Sequence, residues 1–120
     1  MPVKDLFDIT LTKADENIIN AQVKINKSHP VFKGHFPGNP VTPGVMQLML
    51  VKHIIEKQTG KSLKLKALNR AKFLAVLNPN ESPVFNVEIM LTSTTGNEIK
   101  ATAKGWNDKD VFFKFSALYQ

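Results

Sequence analysis

The sequence predicts an α+β protein in which an antiparallel sheet wraps around one long helix. Three observations carry that expectation. Apolar and polar residues alternate over 7–12 and 19–25, and do so again after residue 60, which is the period of half-buried strands. The stretch 45–51, VMQLMLV, is apolar nearly all round, and a helix of that kind must be enclosed by other elements. The order is two strands, one helix, then about four strands, a segregated layout rather than an interleaved one.

Each element has a local cause. Phe7, Ile9 and Leu11 alternate with Asp8, Thr10 and Thr12, and Ile19, Ala21, Val23 and Ile25 repeat the pattern. Ala14-Asp15-Glu16-Asn17 between them supplies a turn, so 6–26 reads as a hairpin. Residues 28–44 hold four prolines and three glycines, too many for regular structure, and form a long shaped loop. A helix then starts with Thr42 as N-cap and Pro43 at the first helical position, where its missing N–H costs nothing. It runs to about Gln58, with Gly60 just beyond. After it, Leu63, Leu65, Ala67 and Ala71 are expected on one strand face, with Lys64, Lys66, Arg70 and Lys72 on the other. Residues 83–95 and 97–106 read as strands joined through Thr95-Gly96-Asn97. The last strand, 111–119, sets Val111, Phe113, Phe115 and Ala117 on one face.

A chain of 120 residues is the size of one domain, expected here over 1–120, and it can bury about two-thirds of its unfolded surface without a metal or disulfide staple. The absence of cysteine excludes disulfide frameworks, Cys-zinc sites and thiol nucleophiles. The N-terminal stretch 1–15 carries acids and no continuous apolar run, so no signal peptide is expected there, and no run approaches the roughly 18 residues of a membrane span. A cytoplasmic location is the expectation. Sixteen basic against ten acidic side chains give a net charge of +6, which suits an acidic partner. Exposed aromatics do not interleave with the cations, so nucleic acid is not expected. His29, His35 and His53 lack metal-ligand spacing, so no metal and no cofactor are expected.

The segment 29–45 carries the chemistry. It delivers one imidazole, His35, from a rigid loop and then opens a helix with Gly44 in its first turn. Free N–H groups and the positive dipole end lie at such a start, where a carbonyl oxygen can be polarised. A nearby histidine can take a proton from the adjacent carbon. A loop of this composition can also simply cap the helix.

The string GHFPGNPVTPGV at 34–45 resembles the signature of the (3R)-hydroxyacyl-acyl-carrier-protein dehydratases. The likeness extends over the hairpin, the helix and Arg70-Ala71-Lys72-Phe73. It implies the hot-dog fold, a curved antiparallel sheet around one central helix. It implies His35 as the base acting on the α-proton of a 3-hydroxyacyl thioester, and the Gly44 N–H as donor to the thioester oxygen. Phe36, Pro37 and Pro43 become structural parts of the loop. A dimer, with the acyl chain along the helix, makes Val45, Leu48 and Met49 substrate-binding, although core packing demands the same residue types.

One position departs from the pattern. The family carries a carboxylate fourteen residues after the histidine, and that position is Met49 here, which cannot donate a proton. His53 lies one turn beyond Met49 on the same face, Gln47 points away from that face, and Glu56 lies near the far end of the helix. The rival to a dehydratase is therefore a non-catalytic acyl-chain or acyl-carrier binding subunit, or the partner of a catalytic homologue in a heterodimer. A thioesterase also needs a carboxylate near the helix, so Met49 counts against it. The implied partner is acyl-carrier protein with its phosphopantetheine-linked chain, and Lys64, Lys66, Arg70 and Lys72 are the expected docking residues. A solvated strand face kept basic for solubility has the same appearance.

Overall fold

Asp15 turns the first hairpin, its carboxylate accepting bonds of 2.9 Å from the backbone N–H groups of Asn17 and Ile18. Those two bonds hold its carboxyl below the ordinary range. In the structure, a computed structural model that describes residues 3–34, 38–93 and 96–120, a helical turn α1 (Val3–Leu6) leads into β1 (Phe7–Ala14) and β2 (Ile18–Ile25). The proline-rich loop contains one turn of helix, α2 (Val31–Gly34), and then α3 (Gly44–Thr59). The strands β3 (Leu65–Phe73), β4 (Val84–Ser93), β5 (Ile99–Trp106) and β6 (Val111–Tyr119) follow. Of the turn expected between β4 and β5, Gly96 adopts φ +76°, while Thr95 lies outside the described residues.

All neighbouring strands are antiparallel, in the order β1-β2-β4-β5-β6-β3. The connection through α3 therefore carries the chain from the β1–β2 edge to the opposite edge. The chain then returns so that β4 pairs with β2. Alternation places one residue set inward: Val23 faces Phe85, Ala21 faces Val87 and Ile19 faces Ile89 across β2 and β4. These join Met46, Leu50, Val51, Ile54 and Ile55 of α3 in one buried core. At the far end of α3, Gly60 takes φ +72°, and its N–H closes the helix onto Glu56 O.

Besides the helical turn α2 inside a segment expected to be irregular, the structure departs from the sequence reading in four places. Pro43, not Thr42, is the N-cap; it is extended, with φ −60° and ψ 145°. The Thr42 N–H is committed to Leu77 O at 2.9 Å, which fixes the chain before the helix begins. The helix is covered on one side only, since Val45 is 60% exposed while Leu48 and Met49 are half-buried against the rim of the core. A single sheet can close over one face of a helix, and the other remains available. On β6 a register shift makes Phe112 the extra residue between Val111 and Phe113. The bulge turns it inward, and both phenylalanines are fully buried. Phe112 meets Phe85 edge-on at 6.0 Å. Finally, β3 carries two shifts, at Leu65/Ala67 and Asn69/Lys72, so its lysines and Arg70 do not form the single row expected.

Two contacts make testable demands on the fold. Gly105 lies between Val87 and Phe113 in register, and a Cβ there would come within 2.2 Å of the Phe113 ring. Gly105→Ala is expected to cost about 1–3 kcal/mol, read as a lower denaturation midpoint. Glu56 ties the end of α3 to the next segment by accepting from the Leu63 N–H at 2.8 Å and the Lys52 ammonium at 3.1 Å. Burial pushes its carboxyl up, but these bonds and the Lys52 and His53 charges outweigh it, leaving the pKa below normal. A lowered carboxyl contributes stability above its unfolded pKa and loses it as pH falls through the folded value. Glu56→Gln should therefore be less stable than the parent by about 1–2 kcal/mol at neutral pH. The difference should close on acidification through the carboxylate range, measured by chemical denaturation at a series of pH values.

Candidate active site

The head of α3 is built around a carbonyl that already has its partners. Pro43 O accepts from the N–H groups of Met46 at 3.0 Å and Gln47 at 3.2 Å. Among the described residues the N–H groups of Gly44 and Val45 have no acceptor, as the first turn of a helix requires. They lie at the positive end of the helix dipole. Gly44 opens on a cavity of about 450 Å³, lined also by Val41, Thr42, Gln47 and the segment 73–77. The Phe73 ring presses on it: a Cβ at position 44 would sit 3.0 Å from Phe73 Cζ. Glycine allows this close approach; a side chain at position 44 would make the half-exposed ring give by a few tenths of an ångström.

Two polar side chains in this wall are undervalued by the sequence reading. Gln47 is 3% and Thr42 1% exposed. The Gln47 amide donates to Thr42 O at 3.0 Å, while Gln47 Oε1 and Thr42 Oγ1 are buried without a partner among the described residues. Such atoms cost free energy where they stand. The only signal in the sequence is a glutamine inside an apolar helical run, on the side away from Met49. Two positions on a 3.6-residue turn are about 200° apart. The direction it takes is the Gly44 cavity.

The remaining expected residues are distributed as follows. His35, Phe36 and Pro37 lie outside the described residues. Val45, Leu48 and Met49 are not in the wall of the Gly44 cavity; they belong to the uncovered side of α3. His53 is half-buried on that side. Glu56 is engaged by Leu63 and Lys52 and is held ionised, so it is unsuited to be an acid. Tyr119, buried first and then disfavoured as an anion by Glu56, is pushed up to about 12 and stays neutral. His29 accepts from the Val31 N–H through Nδ1 at 3.0 Å, which caps α2.

The four cations around β3 separate. Lys64 pairs by its backbone with Gln120 before the strand begins. Lys66 is the extra residue of the first bulge and forms an ion pair with Glu98. Arg70 falls in the second bulge with φ +53°, a left-handed conformation that costs an L-residue about 1–2 kcal/mol. Lys72 resumes the register opposite Lys114. Bulges re-aim side chains, and no periodicity in the sequence announces them. The cations stay exposed, but a shared face does not hold.

Comparison with known proteins bears on the family and the fold. The family model of the ApeI-like dehydratases matches residues 11–106. The 3-hydroxyacyl-acyl-carrier-protein dehydratase FabZ of Fusobacterium nucleatum is 29% identical over 110 residues, covering 88% of this chain and 77% of the relative. The FabZ of Lactococcus lactis is 32% identical over 110 residues, covering 86% and 72%. Among solved structures, the dehydratase heterocomplex ApeI:P of Xenorhabdus doucetiae aligns with a TM-score of 0.70 at 15% identity, over 93% of this chain and 97% of that one. At that identity the likeness speaks for the fold, and the fold is the hot-dog. The matched span takes in all of α3 and four complete strands, β2 to β5, and the chain belongs to the ApeI-like dehydratases.

Proposed function

We propose that the protein removes water from a 3-hydroxyacyl chain carried as a thioester on acyl-carrier protein. The observation that carries this reading is the Gly44 N–H, unpaired at the head of α3 and opening on a largely apolar cavity. In this reading the thioester oxygen accepts from that N–H. The imidazole of His35 takes a proton from C2, the negative charge gathers on the oxygen, and the hydroxyl leaves C3 as the double bond forms. The hydroxyl needs a proton to depart as water. Relatives named as dehydratases of this substrate support the reaction class. Of the cations around β3, Lys64 and Lys66 are read as contacts for the acidic carrier itself and Arg70 and Lys72 as contacts for the phosphate of its arm, with Val45, Leu48 and Met49 along the acyl chain.

Met49 cannot give the second proton, and one observation favours a source outside this chain. Phe73, Leu74 and Val76 are exposed apolar side chains at the cavity and the end of the edge strand β3, and Val45 is exposed on the open side of α3. An apolar strand edge of this kind invites a second chain. A homologue bearing the carboxylate would cover it and complete the acid, whereas a second copy would cover it but brings Met49 again. The Xenorhabdus relative is itself described as a heterocomplex.

An assay with 3-hydroxyacyl carrier protein that follows the enoyl product tests the reading. His35→Ala should lose at least about a hundredfold in rate; unchanged turnover would remove His35 from the chemistry. Met49→Glu should raise the activity of the isolated protein, and no gain would assign the acid to a partner chain, His53 or water. Light scattering at micromolar concentration should return at least twice the chain mass of 13.4 kDa, and a monomer would count against a shared site.

A further inference from the structure

The outward face of the sheet holds an arrangement that the proton transfers of dehydration do not use. Register sets Glu88 of β4 opposite Lys104 of β5, Lys104 opposite Lys114 of β6, and Lys114 opposite Lys72 of β3. Three lysines thus stand side by side on neighbouring strands, spanning about 10 Å at the usual strand spacing. Like charges directly opposed destabilise a sheet. Among the described residues none of the three has a carboxylate within ion-pair distance. They line a groove of about 380 Å³ together with Arg70, the residue held left-handed in the second bulge. The hydroxyls of Thr102 and Ser116, neighbours in the adjacent row, also line it. Exposed Met90 adds an apolar patch, and Glu88 closes one end as the only carboxylate in the wall.

We propose that this groove binds the phosphate groups of a phosphate ester. Four cations gathered in one concavity exceed what a single carboxylate would neutralise. A phosphate offers several oxygens to ammonium and guanidinium donors at once, and the guanidinium fork matches two of them. The two hydroxyls donate to the remaining oxygens, and Met90 receives the apolar part of the ester. A groove this compact suits a small anion better than the side of an acidic helix, which is about 10 Å across. The inference rests on the acyl-thioester reading only for the source of the phosphate: the phosphopantetheine arm of a carrier protein, or free coenzyme A.

The protein carries its own reporter. Lys104 Nζ lies 5.2 Å from the centroid of Trp106, the single tryptophan of the chain. An anion that draws the ammonium toward the groove should change the indole emission. Titration with pyrophosphate and with coenzyme A is expected to give a saturable change, with pantetheine, which has no phosphate, at least tenfold weaker. Lys72→Glu with Lys114→Glu should weaken coenzyme A at least tenfold, as Lys114→Gln should more mildly. Lys24→Glu, an exposed change on β2, should leave binding intact, and circular dichroism checks that each variant is folded. Displacement of coenzyme A by carrier protein bearing its arm, but not by carrier without it, assigns the phosphate to the arm. Displacement by neither assigns it to the free coenzyme. Equal displacement by both carriers would make the groove a docking face for an acidic protein and overturn the proposal. So would an equal response to pantetheine and coenzyme A, or unchanged binding by the double variant. None of these readouts involves turnover, so absent dehydration with binding intact would overturn the catalytic reading alone.

Discussion

Burial of one face of α3 against the inward face of the sheet is the constraint on which the rest of the molecule depends. Met46, Leu50, Val51, Ile54 and Ile55 are essentially inaccessible, and burial of such side chains is worth about 1.5–3 kcal/mol each. Their sum is comparable to the whole net stability of a domain, so the helix cannot leave the sheet without unfolding the protein. That seat fixes everything at its N-terminus. It holds Gly44 under the Phe73 ring, aims Gln47 into the cavity and leaves Val45 outside. The same packing divides the helix into a committed side and an open one. The position where the family carries its acid lies on the open side.

The candidate site is therefore strong at one end and unfinished at the other. Donors at the head of a helix cost nothing to provide, because those N–H groups have no partner within the helix. Proton delivery is different, since it needs a titratable group at a defined place, and the titratable neighbours on α3 are otherwise occupied or poorly placed. Glu56 is held by Leu63 and Lys52, and His53 lies a turn further along. The buried, half-satisfied pair of Gln47 and Thr42 belongs to the same wall as Gly44. A wall that keeps polar atoms among apolar neighbours suits the proposed ligand, a thioester with its acyl chain.

Electrostatics on the outward face follows from pairing rather than from composition. A net charge of +6 says only that cations are in excess. Their placement opposite one another on β5, β6 and β3 is what raises their mutual repulsion and makes an anion welcome. The bulges are central to this. The second bulge of β3 brings Lys72 into line with Lys114 and leaves Arg70 in the same groove, at the cost of a left-handed backbone.

The sequence alone was enough for the order of the strands and α3, the β1–β2 and β4–β5 hairpins, the end of α3 at Gly60, and the family, through twelve consecutive residues at 34–45. Alternation with period two and the signals of proline and glycine are local properties, and local properties survive without knowledge of neighbours. It could not reveal that Phe112 turns inward beside Phe113, that the β3 cations divide between two bulges, or that Pro43 displaces Thr42 as the cap. Each of those depends on a partner distant in the chain: Trp106 and Phe85 for Phe112, β6 for the bulges, and Leu77 for Thr42. The same is true of the helix itself. Its apolar circumference was legible as a demand for cover, but one sheet can meet that demand on only one side, and which side it meets is decided by tertiary packing.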